Sequence, residues 1–170
     1  MSSEIRLTPT SYIVLGLLGW MGEATPYELK RVVEERIGNF WSVPHSQIYR
    51  EPGRLVEGGY VRERRERAGR RRRLFSLTDA GQDALAAWRD EPTDELPELR
   101  DLSLLKMFFG GDPAALAAAQ LAAHERKLAA YRELATALEA SAAELPPGPA
   151  RTLRAGLRHE EEWVEFWRAF

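Results

Sequence analysis

Hydrophobic positions near the N-terminus recur at helical spacing in two short stretches. The first begins at Thr8 and Pro9, where threonine can cap a helix and proline suits its first turn. Its apolar stripe consists of Ile13, Val14, Leu17, Leu18 and Met21. The second begins at Thr25, three residues before Glu28 as in a capping box, and continues to Ile37. The pattern predicts two short helices joined by a tight turn.

A third helix is predicted from about residues 42–45 to residue 56, with Ile48 and Leu55 facing the core. Tyr49 is compatible with either the core or a phosphate contact. The polar side chains left for a partner are His45, Ser46, Gln47, Arg50 and Arg54. Amide and guanidinium groups pair with purine edges, so Gln47 and Arg50 are the candidates for base contacts. Hydroxyl and imidazole groups near the helix start more often contact phosphates.

The segment after this helix predicts a basic hairpin, with strands at residues 60–63 and 74–77 and a turn near 68–69. From Arg62 to Arg73 there are eight arginines and two glutamates, a local charge of 8 − 2 = +6 in a chain of net charge −2. Such concentrated charge suits a polyanion. A helix followed by a basic hairpin is the layout of a winged helix-turn-helix, which binds DNA. The arginines predicted to contact phosphates or the minor groove are Arg70, Arg71, Arg72 and Arg73.

A change in composition follows the hairpin. Thr78 is expected to cap a fourth helix that extends past Trp88. Residues 90–101 then contain six acidic residues, one arginine and two prolines. We therefore predict two domains, a winged helix-turn-helix over residues 1–90 and a helical domain over residues 96–170.

The second domain is predicted to be helical throughout. A short apolar helix ends at Gly110, and a long alanine-rich helix begins at Pro113. The long helix carries positions spaced 3, 4, 3, 4, 3, as in the seam of a coiled coil: Leu121, His124, Leu128, Tyr131, Ala135 and Leu138. A proline-rich turn and a last helix follow, and the density of aromatic residues on that helix predicts burial against another surface.

Composition excludes several classes of protein. The chain has no cysteine, which rules out disulfides and thiolate chemistry, and its 44% hydrophobic and 29% charged residues are ordinary for a globular protein. The longest apolar run, residues 12–21, is too short for a membrane span, and no signal-peptide layout is visible, so we expect a cytoplasmic protein. His159 stands beside Glu160 without a second soft ligand at helical spacing, so we expect no metal and no cofactor.

The order of these features resembles the PadR family of bacterial transcriptional regulators. The residues that carry the resemblance are Ser46, Ile48, Tyr49, Leu55, Gly59, Tyr60, Val61, Leu77, Thr78 and Gly81. The resemblance covers about residues 5–90 by motif and the remainder by layout. It implies a mainly α-helical fold, with an N-terminal winged helix-turn-helix, a small β-hairpin wing and a C-terminal helical dimerisation domain.

The resemblance also implies a homodimer and a possible small aromatic effector bound between the subunits. The positions that fit a dimer interface are Leu121, Leu128, Tyr131, Leu138, Trp163 and Trp167. Trp20 and Trp88 are the candidates for a ligand site, because flat aromatic ligands stack on indole rings.

One residue departs from the family pattern. Pro52 stands where the family usually has a leucine, and an interior proline removes a helical hydrogen bond at a cost of about 3 kcal/mol. We therefore expect a kink or an early end of the third helix near residues 49–51. The direction of Arg54 would be affected more than that of Gln47.

The resulting hypothesis is a homodimeric repressor that binds double-stranded DNA at a palindromic operator and is released by a small-molecule effector. Two recognition helices would enter successive major grooves, about 34 Å apart. An alternative, motivated by Pro52, is a winged-helix interaction protein whose arginines bind a protein or an anionic surface. An enzyme is the second alternative, but no catalytic triad order, phosphate-binding glycine loop or metal spacing is visible.

Overall fold

The structure, a computed structural model, describes residues 5–66, 71–140 and 147–170 of the 170-residue chain. The chain divides into two units, Met1–Glu95 and Leu96–Phe170. The elements of the first unit are α1 (Pro9–Met21), β1 (Glu23–Ala24), α2 (Pro26–Val32), α3 (His45–Glu57), β2 (Val61–Arg65), β3 (Arg73–Leu77) and α4 (Asp79–Asp90). Those of the second unit are α5 (Leu102–Phe108), α6 (Pro113–Ala140) and α7 (Pro147–Arg168). The predicted mainly α-helical class with an N-terminal winged helix-turn-helix is confirmed.

The first two helices begin at the residues that the sequence predicts. The Thr8 side chain accepts a hydrogen bond from the Ser11 N–H, and the Ser11 hydroxyl accepts one from the Thr8 N–H in return. At α2, the Thr25 N–H donates to Glu28 Oε2 over 2.7 Å, so the predicted capping box is present. These reciprocal bonds satisfy backbone donors that a helix start leaves without partners. A π-helical turn, Val33–Ile37, continues α2 to the predicted end.

The wing is a three-stranded antiparallel sheet in the order β1-β3-β2. Strands β2 and β3 pair from Val61 opposite Leu77 to Arg65 opposite Arg73, so both are longer than predicted. The sequence analysis missed β1, since two residues are too few to show an alternating pattern. The turn predicted at residues 68–69 lies outside the described residues.

The core of the first unit gathers apolar side chains from helices and sheet. Its most buried members are Val14, Leu15, Leu17, Leu18, Ala24, Leu29, Ile48, Leu55, Val61 and Phe75. The predicted inward residues Ile48 and Leu55 are both fully buried, and Thr78 caps α4 as predicted. A Cβ added at Gly81 would collide with the Tyr60 carbonyl oxygen, so this close approach of α4 to the wing requires glycine. The core thus joins the recognition helix to the wing.

Pro52 does not end α3, so the early end expected from the sequence is wrong, whereas the alternative expectation of a kink stays a prediction. The helix is assigned without interruption from His45 to Glu57, and the Pro52 side chain is fully buried. Ile48 and Leu55, one turn away on either side, are fully buried as well. Packing on both sides of the proline holds the two halves of α3 in place, and tertiary contacts thereby outweigh the local cost of the lost hydrogen bond.

The second unit is built on an antiparallel pair of long helices. Glu125 of α6 pairs with Arg168 of α7, whereas Tyr131, further along α6, lies against the earlier Gly156. The buried side chains are Ser103, Ala117, Leu128, Tyr131, Glu160, Val164 and Trp167. None of the helices within the described residues is long and apolar enough to cross a membrane.

This packing revises the role expected for the coiled-coil seam. Leu128, Tyr131 and Trp167 are 6%, 8% and 1% exposed in the single chain, so α6 and α7 bury them without a second subunit. The other three candidates are half-buried: Leu121, Leu138 and Trp163. Seam spacing predicts that a helix face is covered, but it does not identify the helix that covers it. Here α7 of the same chain covers the central part of the seam.

Candidate nucleic-acid interface

The recognition helix α3 presents five of its predicted contact residues to solvent: His45, Ser46, Gln47, Tyr49 and Arg50. All five lie in its first two turns, where the apolar contacts of Ile48 fix the direction of the neighbouring side chains. Tyr49 is 46% exposed, which favours the surface over the core for this residue. The start of α3 therefore forms a polar surface suited to base edges and phosphates.

Two contacts from neighbouring helices restrain this surface. The Thr10 hydroxyl of α1 donates to Gln47 Oε1 over 3.2 Å, which leaves the amide NH₂ of Gln47 available as a donor. Glu34 Oε1 lies 2.8 Å from His45 Nε2 and 2.9 Å from Lys30 Nζ. The sequence offered no signal for Thr10 or Glu34, because both contacts depend on how the helices pack. Arg50 is exposed and makes no hydrogen bond or ion pair within the described part of the chain.

Arg54, a predicted DNA contact, makes its hydrogen bonds within the first unit. Its Nε lies 3.1 Å from Glu51 Oε2, and its Nη2 lies 2.6 Å from Glu51 Oε1 and 2.8 Å from Ser11 Oγ. Its Nη1 donates to the Arg6 carbonyl over 2.9 Å. The guanidinium thus ties α3 to the start of α1, and these bonds occupy it inside the unit.

Glu51 is the buried centre of this network. Its side chain is 11% exposed, and the Ser11 hydroxyl donates to Glu51 Oε1 over 2.6 Å. Burial opposes ionisation of Glu51, but the hydrogen bonds from Arg54 and Ser11 outweigh it and lower the pKa of the carboxyl group. Glu51 is therefore an anion at neutral pH, held by two donors from different parts of the unit.

The wing arginines within the described residues are largely paired with carboxylates. Arg73 binds Glu63 through two hydrogen bonds of 2.9 and 2.8 Å, and Arg72 binds Glu66 through two of 3.1 and 2.9 Å. Arg71 is exposed, has a positive φ of 48° and makes no ion pair within the residues described. Arg70 lies outside the described residues. The wing therefore keeps a guanidinium at Arg71 that is not engaged by the described chain.

Trp20 and Trp88, the predicted ligand residues, both lie on helices of the first unit. Trp88 stacks on Tyr12 with ring centroids 4.6 Å apart, and it is 43% exposed. Trp20 is 55% exposed. In the described part of the chain no ring contact joins the two indoles, so the structure does not bring them together as one site.

Recognition helix, wing and basic surface together define the class of winged helix-turn-helix proteins. Residues 14–87 match the model of the transcriptional regulator PadR-like family, and residues 99–169 match a model described as virulence activator alpha C-term. These matches support the predicted membership of the PadR family of transcriptional regulators.

One curated relative and two solved structures, all of them PadR of Bacillus subtilis, illustrate the similarity. The negative transcriptional regulator PadR of Bacillus subtilis is 35% identical over 102 residues, which are 58% of this chain and 54% of that protein. The chain thus spans about half the length of this curated relative. The crystal structure of Bacillus subtilis PadR in complex with operator DNA has a TM-score of 0.84 at 26% identity and covers 97% of both chains. The structure of that protein with p-coumaric acid has a TM-score of 0.79 at 26% identity and covers 96% of both.

Proposed function

We propose that this protein is a DNA-binding repressor in which the first unit contacts an operator and the second joins two subunits. The observation that carries the proposal is the polar start of α3, exposed beside an arginine-rich wing on the same folded unit. Gln47 and Arg50 would read base edges in the major groove, while His45, Ser46, Tyr49 and Arg71 would contact phosphates. The operator-bound structure of Bacillus subtilis PadR supports the proposed binding to operator DNA.

A homodimer on a palindromic operator completes the proposal. The second unit exposes six large apolar side chains, each more than half accessible: Leu96, Leu99, Leu102, Leu105, Phe108 and Phe109. Isolated monomers rarely leave so much apolar surface in water. We therefore place the subunit contact on residues 96–109, with Leu121, Leu138 and Trp163 as further candidates. A two-fold dimer would present two recognition helices about 34 Å apart.

Selection of binding sites from a library of random duplexes tests DNA recognition and two-fold symmetry together. The wild-type protein is expected to enrich a palindrome with half-sites one helical turn apart. Arg50→Ala is expected to weaken binding to the enriched duplex by about 1–3 kcal/mol, roughly 5- to 150-fold, and to relax preference at one position of each half-site. Fluorescence anisotropy measures both effects.

Arg158→Ala is the matched control, because Arg158 is exposed on α7 and carries the same charge. It should leave both affinity and preference unchanged. Failure of the wild-type protein to enrich any sequence would contradict the proposal. Enrichment of a single, non-repeated site would contradict the two-fold dimer while leaving DNA recognition in place.

Release by a small aromatic effector is the last step of the proposal, and the complex of Bacillus subtilis PadR with p-coumaric acid supports it. An effector lowers DNA affinity only if it binds the DNA-free arrangement more tightly. We expect p-coumaric acid to weaken binding to the enriched duplex, with Trp88→Ala and Trp20→Ala reducing that response. Unchanged anisotropy at saturating acid would contradict this step for that ligand.

A further inference from the structure

Most of the wing arginines that the structure describes are bound to glutamates of the same unit. Arg64 donates to Glu23 over 3.1 and 2.6 Å, Arg72 to Glu66, and Arg73 to Glu63. Each of these three pairs is two-pronged, with two guanidinium nitrogens bonded to the two oxygens of one carboxylate. Such forked pairs use the same donors with which arginine binds a phosphate.

Glu63 holds two arginines at once. Arg65 Nε lies 2.9 Å from Glu63 Oε1, and Arg65 stands directly opposite Arg73 on the neighbouring strand. Glu63 and Arg65 are two residues apart on β2, so their side chains share one face of the sheet. Hydrogen bonds from Arg73 and then Arg65 lower the pKa of Glu63 to about 2, so the carboxylate is ionised at any physiological pH.

The number of guanidinium groups free to bind DNA phosphates is consequently smaller than the number of arginines in the hairpin suggests. The described part of the hairpin has six arginines: Arg62, Arg64, Arg65, Arg71, Arg72 and Arg73. Four of them bind Glu23, Glu63 or Glu66, and Arg62 donates to the Leu77 carbonyl. Arg71 alone among these six makes no hydrogen bond or ion pair with described residues.

We propose that Glu23, Glu63 and Glu66 are specificity-determining residues that compete with DNA phosphates for the wing arginines. This inference rests on the proposed function, since it requires that the wing meets DNA. On arbitrary DNA the wing has no fixed register, so few phosphates are positioned to replace a forked carboxylate. When α3 is seated in its groove, phosphates are held beside the wing and the exchange becomes favourable. The glutamates thus suppress binding that does not involve α3.

The opposite role for these glutamates is preorganisation, in which they hold the arginines in the binding geometry. The two roles predict opposite changes in the affinity for random DNA. Removing a competing carboxylate tightens binding to random DNA, whereas removing a positioning carboxylate weakens it. The arginines of these pairs are 48–74% exposed, and ion pairs at the surface contribute little to folding, so the substitution is expected to leave the unit folded.

The experiment compares Glu63→Gln and Glu66→Gln with the wild-type protein on a random-sequence 30-base-pair duplex by fluorescence anisotropy over a salt series. We expect Glu63→Gln to bind this duplex about three- to tenfold more tightly. Its log–log salt slope should steepen by about 0.9 to 1.8, since up to two arginines become available to phosphates. Glu66→Gln, which releases Arg72 alone, should show about half that change.

Glu161→Gln is the control, because it makes the same change of net charge on α7 and also removes an ion pair, to Arg132. It should leave the salt slope unchanged. A second measurement, the ratio of affinities for the library-enriched duplex and the random duplex, should fall in Glu63→Gln but not in Glu161→Gln.

Weaker or unchanged binding of Glu63→Gln to the random duplex, with a circular dichroism spectrum like that of the wild type, would overturn the inference in favour of preorganisation or of no role. The random-duplex comparison requires no operator. If the wild-type protein enriches no sequence, the proposed regulatory function fails, and the sign of the Glu63→Gln effect still decides whether the carboxylates restrain the wing.

Discussion

Trp167→Ala is expected to lower the free energy of unfolding of the second unit by about 3–5 kcal/mol, the cost typical of truncating a buried aromatic residue. Trp167 is 1% exposed and packs against Trp163, Phe166 and Phe170, with ring centroids 5.0–6.3 Å away. Its indole N–H is buried without a hydrogen-bond partner in the described chain, so the substitution removes no polar contact there. The decrease in the free energy of unfolding therefore reports the lost apolar packing and the cavity that the substitution leaves.

Urea unfolding followed by circular dichroism at several protein concentrations measures this loss. Phe170→Ala is the matched control, because Phe170 belongs to the same aromatic cluster but is 51% exposed, so its truncation should cost much less. The burial of Trp167 within one chain predicts destabilisation at every concentration. If Trp167→Ala changed only the concentration dependence, Trp167 would serve the subunit contact instead, as the seam spacing originally suggested.

Glu51→Ala is expected to cost the first unit about 2–4 kcal/mol, because it leaves the Arg54 guanidinium and the Ser11 hydroxyl without their main partner. The upper end of the range for buried pairs is reduced here, since the Arg54 side chain is 33% exposed and retains contact with water. The same change should also weaken DNA binding, because Glu51 ties α3 to α1 and so fixes the direction of Gln47 and Arg50.

Thermal and urea unfolding of Glu51→Ala, Glu51→Gln, Arg54→Ala and the double variant Glu51→Ala/Arg54→Ala resolve this prediction. Glutamine keeps the shape of the side chain and one hydrogen-bond acceptor, so Glu51→Gln should lower the free energy of unfolding by less than Glu51→Ala does. The two alanine substitutions should be clearly non-additive, since Arg54 loses two of its hydrogen bonds once Glu51 is absent. Additive losses would mean that the network contributes little beyond its separate side chains.

The Glu51 network also bears on the interaction-protein alternative. That alternative depends on Pro52 distorting α3. The helix is nevertheless assigned through Pro52, and Glu51 and Arg54, on either side of it, are hydrogen-bonded to residues at the start of α1. The bonds at these two residues compensate for the hydrogen bond that the proline cannot make. An early end of α3, one of the two effects of Pro52 that motivated the alternative, is thereby excluded.

Local features of this protein were predicted well from the sequence. Thr8, Thr25 and Thr78 begin helices where predicted, because a cap is decided by residues three or four positions apart. The hairpin and its arginines were also evident, although two-residue β1 was missed. The glutamate–arginine pairs of the wing could be predicted only in part. Alternation along β2 places Glu63 and Arg65 on one face, but the contact with Arg73 depends on the register of β2 and β3.

What the sequence determined by itself was therefore the identity of each helix and of the two hairpin strands, the winged helix-turn-helix class and the resemblance to the PadR family, since these follow from short-range spacing and motif order. The tertiary structure decided which partner each side chain meets. It turned Arg54 inward to Glu51, covered the seam residues Leu128 and Tyr131 with α7, and kept α3 continuous through Pro52. Periodicity indicates which face of a helix or strand is buried, and the residue type gives the charge of a side chain. Only long-range packing decides which surface covers that face and which opposite charge pairs with that side chain.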